Sequence, residues 1–60
     1  MYQLMYQPVT ILKIKNPNMA HKLNELGIFV GDKVYDLGKD YYKTTSVPPI
    51  VFRTSLNVEN

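Results

Sequence analysis

Residues 16–37, NPNMAHKLNELGIFVGDKVYDL, constrain the fold of this chain more than any other segment, because several independent local signals agree there. Asn16 and Pro17 predict a helix N-terminus, since the asparagine side chain can accept a free N–H of the first turn and proline has none to satisfy. Apolar residues then recur at the spacing of one helix face, at Met19, Leu23 and Leu26. The pattern predicts a short helix over 17–26.

Two glycines divide this helix from the strand that follows it. Gly27 stands where a residue with positive φ ends a helix, and Ile28 can fold back on the last turn, as in a Schellman ending. Val30-Gly31-Asp32 predicts a type II turn in which Gly31 supplies the positive φ at the third position. Residues 33–37 then predict a strand. We expect a unit made of a helix, a glycine stop, a tight turn and a strand.

The remaining segments predict a β domain with this one short helix between its first two long strands. Residues rich in β-branched and aromatic side chains indicate further strands at 9–15, 41–45 and 50–54. Residues 1–7 are expected to be an extended lead-in, and residues 55–60 are either a short last strand or a frayed tail. The whole chain, residues 1–60, is expected to be one domain with the following buried centre: Ile11, Leu23, Leu26, Ile28, Val34 and Val51.

The motif LNELGIFVGDKV, residues 23–34, resembles the signature LxxLGIxPGxxVxV of the FeoA family. Val30 stands where the family has the proline of the turn, and residues 9–15 correspond to the first strand, so that the resemblance covers mainly residues 9–37. It implies a small SH3-like β-barrel. It also implies an accessory role in bacterial ferrous-iron uptake, through contact with the cytoplasmic GTPase part of a membrane permease and without a metal bound to the module. Small barrels host many roles, so the motif argues fold better than function.

The amino-acid composition of the chain limits the classes of function that it can have. Seven basic and five acidic residues give a net charge of only +2, and there is no cysteine for disulfides or thiolate metal sites. No apolar run reaches the roughly 20 residues that span a bilayer, and the N-terminus lacks the pattern of a signal peptide. We expect a cytoplasmic protein without membrane insertion.

The few candidate catalytic residues do not form a recognisable pattern. His21 is the only histidine, and Glu25, four positions later, is the only carboxylate suitably placed beside it on the helix. One imidazole cannot supply the three or four ligands of a zinc or iron site. Ser46 and Ser55 lack the glycine-framed turn of a nucleophile. We therefore expect no enzyme, no bound metal and no cofactor, with His21 facing solvent.

Aromatic residues favour a protein-interaction module instead. Five tyrosines and two phenylalanines in 60 residues are too many to bury completely. Two consecutive prolines, Pro48 and Pro49, also leave neighbouring backbone unpaired, and an unpaired strand edge can accept another chain. The predicted partner-binding residues are Tyr41, Tyr42, Phe52 and Arg53. Self-association into a homo-oligomer is the main rival use of this edge.

Two alternatives stay open. The chain could be a small phage- or plasmid-type protein that binds and inhibits a host enzyme or a transcription component, which its brevity allows. It could also be a nucleic-acid-binding barrel that uses a basic face of Lys13, Lys15 and Lys22. Because the charge is mild and no block of like charge occurs, nucleic acid is not the expected partner.

Overall fold

A single antiparallel sheet of five strands makes up most of the computed structural model, which describes residues 7–60. All of the predicted lead-in over residues 1–7 except its last residue lies outside them. The elements are β1 (Pro8–Ile14), α1 (Pro17–Glu25), β2 (Lys33–Gly38), β3 (Tyr41–Thr44), β4 (Val51–Arg53) and β5 (Leu56–Glu59). The strand order is β4-β3-β2-β1-β5. The fold is thus mainly β with one short helix, as predicted, and is consistent with an SH3-like fold. Within residues 7–60 the sheet is not closed into a barrel, because β4 and β5 lie at its opposite edges.

The helix begins as its sequence predicts. The Oδ1 atom of Asn16 accepts the N–H of Met19 at 3.0 Å, which satisfies one of the free donors of the first turn. Pro17 occupies the first helical position. The helix buries Leu23 completely against the sheet, with Met19 and Ala20 partly buried beside it.

A Schellman motif ends the helix, and this prediction is also confirmed. Gly27 has a φ of 86°. The N–H of Ile28 donates to the carbonyl of Leu23 at 2.8 Å, and the N–H of Gly27 donates to that of Asn24 at 3.0 Å. These are the two bonds of the motif, and they direct the buried side chain of Ile28 back towards the helix.

Gly31 performs two tasks at the start of β2. Its φ of 99° and the bond from the N–H of Asp32 to the carbonyl of Phe29, at 3.0 Å, define the predicted turn. Gly31 and Asp32 also lie opposite a single residue, since the Gly31 N–H donates to the Ile11 carbonyl and the Ile11 N–H donates to the Asp32 carbonyl. This is a β-bulge with glycine at its first position, and it fastens the turn to β1.

A two-residue turn joins β2 to β3. Gly38 pairs with Tyr41, and the two residues between them, Lys39 and Asp40, have φ values of 55° and 66°. Positive φ at both central positions is the geometry of the type I′ hairpin turn, which matches the twist of the flanking strands. The turn lies between the two predicted strands at 33–37 and 41–45, and neither of its central residues is glycine.

The core lies between α1 and the inner face of the sheet. Its buried apolar side chains are Val9, Ile11, Ile14, Leu23, Ile28, Val34, Tyr42, Phe52 and Leu56. The predicted burial of Leu26 and Val51 is wrong, since they are 53% and 57% exposed. Leu26 is the C-cap residue, and Ile28 fills the space next to the helix after the chain reverses at Gly27. In β4, alternation directs Phe52 inwards and therefore its neighbours outwards.

The last residues form a strand, so the open question about the C-terminal segment is decided. β5 pairs with β1, from Thr10 opposite Glu59 to Ile14 opposite Leu56. Leu56 is buried and Val58 half-buried. Among the described residues, no helix has the length and apolar character that would let it cross a membrane.

Candidate interaction surfaces

Two of the four predicted partner-binding residues lie in the core. Tyr42 and Phe52 are directly opposite each other on β3 and β4 and are only 5% and 8% exposed. Their rings stack with centroids 5.9 Å apart and an interplanar angle of 27°. The prediction that these two aromatic residues are exposed is therefore wrong, and they act as the pair that holds β4 against the rest of the sheet.

Because Tyr42 is buried, the pKa of its hydroxyl group is also changed. Burial raises the pKa of Tyr42 above its ordinary value, and the negative charges of Asp36 and Asp40 raise it further. The folded chain therefore holds this proton more tightly than the unfolded chain does. Stability that depends on the neutral phenol is complete below the ordinary pKa of tyrosine and falls as the pH rises through the raised one.

Tyr41 and Arg53 lie on the opposite, outward side of the same two strands. They are cross-strand partners, and the guanidinium carbon of Arg53 lies 5.3 Å from the centroid of the Tyr41 ring. This distance is within the range of a cation–π interaction. Both residues are exposed, with Tyr41 at 42%, so both remain available to a partner.

Tyr41 and Arg53 belong to a larger outward surface that combines positive charge with aromatic rings. Strand register and alternation direct six side chains of β2, β3 and β4 to this side of the sheet: Lys33, Tyr35, Tyr41, Lys43, Val51 and Arg53. We call this surface the basic-aromatic face. This face could not be predicted from the sequence, because cations from three separate segments become neighbours only through strand pairing.

The three lysines that were predicted from the sequence to form a basic face lie elsewhere. Lys13 and Lys15 flank the buried Ile14 at the end of β1, and Lys22 is in the last turn of α1. All three side chains are exposed. Although β1 pairs with β2, Tyr35 lies opposite Pro8, whereas Lys13 lies opposite Asn57 near the other end of β1, so the structure does not bring this trio next to a tyrosine of the sheet.

A second candidate surface is apolar and surrounds the two turns between α1 and β2. Leu26, Phe29 and Val30 are 49–57% exposed. Leu12, 48% exposed, follows Ile11, the β1 residue to which Gly31 is hydrogen-bonded. We call the four exposed side chains of Leu12, Leu26, Phe29 and Val30 the apolar turn cluster.

A groove of about 240 Å³ adjoins the apolar turn cluster. It runs between the end of the helix, at Leu26 and Gly27, and the loop after β3, at Thr45 and Ser46. Asp32 also lines it, but one of its carboxylate oxygens already accepts the N–H of Phe29 at 2.9 Å. The groove therefore offers mixed apolar and hydroxyl contacts beside the cluster.

A wider depression lies at the other end of the sheet. Lys15, Asn16, Asp40, Arg53 and Ser55 contribute to its lining. Asp40 accepts the hydroxyl of Ser55 at 3.4 Å, and the lining therefore holds a carboxylate as well as two cations. The mixed charge gives the depression no clear preference for an anion or a cation.

The free edge of β4 is short. Tyr42 and Phe52 lie opposite each other on β3 and β4. Two positions further along the ladder, the N–H of Thr44 donates to the carbonyl of Ile50. Two positions in the other direction, the N–H of Thr54 donates to the carbonyl of Asp40. Because bonded pairs alternate along an antiparallel ladder, the N–H and C=O groups of Val51 and Arg53 point away from β3. Only two residues thus present free backbone, which makes β4 a limited template for an added strand.

The helix surface carries the only histidine of the chain. The Nε2 atom of His21 lies 3.1 Å from a carboxylate oxygen of Glu25, one helical turn later, and both side chains are largely exposed. No group of three or more histidine, cysteine or carboxylate residues that could hold a metal ion occurs within residues 7–60. This exposed pair is an ordinary i, i+4 contact on a helix.

Comparison with known proteins does not assign the chain to a family. No protein-family model and no curated protein matches its sequence, and no solved structure matches it either. The surfaces described above are therefore the observations that bear on its function.

Proposed function

We propose that this chain is a non-catalytic protein-interaction module that binds its partner through the apolar turn cluster. The observation that carries the proposal is the exposure of Leu12, Leu26, Phe29 and Val30 around two adjacent turns. Apolar side chains grouped in this way on a small domain are typical of a surface that another protein covers.

The turns hold this surface in place before a partner arrives. Backbone bonds fix Gly27 and Ile28 after the helix. The bond from the N–H of Asp32 to the carbonyl of Phe29 closes the second turn, and the N–H of Gly31 ties that turn to β1. The side chain of Asp32 holds the N–H of Phe29. Because the backbone is already fixed, binding loses little conformational entropy there, and more of the contact energy appears as affinity.

For the partner, we propose the cytoplasmic GTPase part of a bacterial ferrous-iron permease, which gives the chain a FeoA-like accessory role in iron uptake. The support is the motif of residues 23–34. Gly27 and Gly31 adopt the positive φ that the motif requires, while Leu23, Ile28 and Val34 are buried. The residues of the motif that face outwards, Leu26 and Val30 among them, belong to the apolar turn cluster. This role places the module in the cytoplasm and requires no metal on the module itself.

The test is a titration of the isotope-labelled chain with the purified GTPase domain of the ferrous-iron permease from the same organism. We expect amide shifts concentrated at residues 26–32 and a Phe29→Ser variant that binds at least tenfold more weakly, since an exposed anchor side chain is worth about 1.4 kcal/mol or more. Val47→Ser is the matched control, because Val47 is 95% exposed and lies outside the cluster.

Equal effects of the two serine variants would contradict the proposed surface, and absence of binding to the GTPase domain would contradict the proposed partner. A sedimentation experiment on the free chain separates partner binding from self-association, which would show as a mass that rises with concentration. The same surface could serve a phage- or plasmid-type protein that binds a host enzyme or transcription component. Permease genes or phage genes beside this gene distinguish these two origins.

A further inference from the structure

We propose that the basic-aromatic face binds single-stranded nucleic acid, in which bases stack on two tyrosines and phosphates contact three cationic side chains. The tyrosines are Tyr35 and Tyr41, and the cations are Lys33, Lys43 and Arg53. This surface is separate from the apolar turn cluster, so the inference does not depend on the proposed protein partner.

Strand register brings the two kinds of side chain together. Tyr35 on β2 lies directly opposite Lys43 on β3, which in turn lies opposite Val51 on β4. Tyr41 lies opposite Arg53 on β4. It is also the diagonal neighbour of Tyr35 on β2, and diagonal neighbours on adjacent strands are roughly 7–8 Å apart. Rings and positive charges therefore alternate over the face, as bases and phosphates alternate along a nucleic-acid strand.

No carboxylate opposes the cations on this side of β2, β3 and β4. Asp36 is paired with the buried Tyr42, and alternation therefore places it on the inner side of the sheet. Its Oδ1 atom accepts the N–H of Gly38 at 2.9 Å. Asp40 is in the hairpin turn, where it accepts the hydroxyl of Ser55; it lines the same depression as Arg53 but forms no ion pair with it. Glu59 is outward-facing on the edge strand β5, where Thr10 of β1 separates it from Lys33 of β2. Within residues 7–60 the cations of the face form no ion pair, so their charge is available to an anionic ligand.

The shape of the face favours bases over the side chains of an acidic protein. Protein hot spots insert side chains into pockets. Lys33 and Arg53 each contribute to one of the two grooves described above, but Tyr35, Tyr41 and Lys43 line neither of them. A base needs only a flat ring to stack on and a nearby cation for its phosphate. Arg53 covers one side of the Tyr41 ring at 5.3 Å, which holds its guanidinium next to that ring. A phosphate beside a stacked base would meet this guanidinium.

The test is fluorescence anisotropy of a labelled oligothymidylate with the full chain at a series of salt concentrations. A length of about 20 nucleotides exceeds the roughly 4–16 nucleotides that one OB-fold barrel covers. We expect an affinity that falls linearly with salt on logarithmic axes. Arg53→Gln and Lys43→Gln should each reduce the slope by about 0.7, the value for one lost phosphate contact on a single strand.

A matched pair of variants isolates the role of the ring. Tyr41→Leu removes the aromatic face but keeps an apolar side chain, and we expect binding to weaken about fivefold or more, whereas Tyr41→Phe should stay within about twofold. Lys22→Gln is the control for charge, because it removes one exposed positive charge from the helix instead of the sheet face. It should leave affinity and slope nearly unchanged. Circular dichroism melting of each variant shows that the fold is intact.

Three results would overturn the inference. The first is no detectable binding to the oligonucleotide at low salt with protein at about 10⁻⁴ M, the weak end of non-specific nucleic-acid binding. The second is an equal loss from Lys22→Gln and Arg53→Gln, which would mean that only net charge matters. The third is binding to polyglutamate but not to oligothymidylate, which would assign the face to an acidic protein.

Discussion

The helix-and-turn segment of residues 16–34 and the β3–β4 hairpin of residues 41–53 reach their conformations in different ways. In the first segment, the helix and its two turns are held by backbone and side-chain hydrogen bonds between groups no more than five residues apart, and only the bulge at Gly31 and Asp32 adds bonds to the distant Ile11. In the second, the decisive contacts are cross-strand pairs, above all the stacked rings of Tyr42 and Phe52. Locally fixed turns can leave apolar side chains exposed, whereas the paired strands divide their residues strictly between core and solvent.

The two segments also expose different chemistry. The turns present Leu26, Phe29 and Val30, while the hairpin and β2 present cations and tyrosines. A domain of 60 residues thus has two surfaces that suit different classes of partner. Four predictions about stability test whether the two segments are held as described.

The largest effect is expected in the hairpin. Phe52→Ala should cost about 3–5 kcal/mol, because it removes a buried ring and its stacking partner for Tyr42, and the small domain could unfold outright. Val51→Ala, one residue earlier and exposed, should change the free energy of unfolding by no more than about 0.5 kcal/mol. Urea unfolding followed by circular dichroism measures both. Similar costs for the two variants would show that alternation does not decide burial in β4.

The next largest effect is expected at the helix. Leu23→Ala should cost about 2–5 kcal/mol, since Leu23 is fully buried, while Leu26→Ala at the exposed C-cap should cost about 0.5 kcal/mol or less. Chemical denaturation of the two variants compares them directly. If Leu26→Ala proves to be the more damaging change, the helix packs through a different side from the one described.

The glycine stop should have an intermediate effect. Gly27→Ala should cost about 1–2 kcal/mol, because a β-carbon is strained at a φ of 86°. An added β-carbon would meet no atom within 4 Å, so the cost comes from the backbone and not from a clash. Asn24→Ala, at an exposed helical position, is the control. A melting temperature that is unchanged or higher for Gly27→Ala would remove the glycine stop as a reason for the end of the helix.

The smallest effect is expected in the β2–β3 turn, and it should be stabilising. Lys39 has a φ of 55°, where asparagine is tolerated better than lysine, so Lys39→Asn should add about 0.5 kcal/mol. Lys15→Asn, at an exposed position without positive φ, should not stabilise the chain. Thermal melting of both variants checks the sign. Destabilisation by Lys39→Asn would mean that the lysine side chain makes a favourable contact in the turn.

Local chemistry could be predicted from the sequence residue by residue. The cap at Asn16, the stop at Gly27 and the turn at Gly31 each need only a few neighbouring residues, and all three are confirmed. The approximate positions of the first four strands followed from β-branched and aromatic runs. Where the sequence left a choice, for the last residues of the chain, the pairing of β5 with β1 decided it.

The candidate sites were harder to predict, because the sequence of a strand divides its residues into two alternating sets but does not show which set faces the core. In β3 and β4 a shift of one residue would exchange the inner Tyr42 and Phe52 with the outer Tyr41 and Arg53. From the sequence, all four residues were predicted to be exposed. It also placed Leu26 in the core by helical spacing, although the helix ends one residue before it.

By itself, then, the sequence determined the helix and its two glycine turns, because these depend on backbone conformations and hydrogen bonds between near neighbours. It also indicated a mainly β architecture, through its runs of β-branched and aromatic residues. The tertiary structure alone decided which aromatic residues are buried and which cations become neighbours. Lys33, Lys43 and Arg53 are as far as twenty residues apart in the chain and meet on one face only because three strands pair in a particular register. That register is fixed by burying Val34, Tyr42 and Phe52 together, a requirement that no short segment contains.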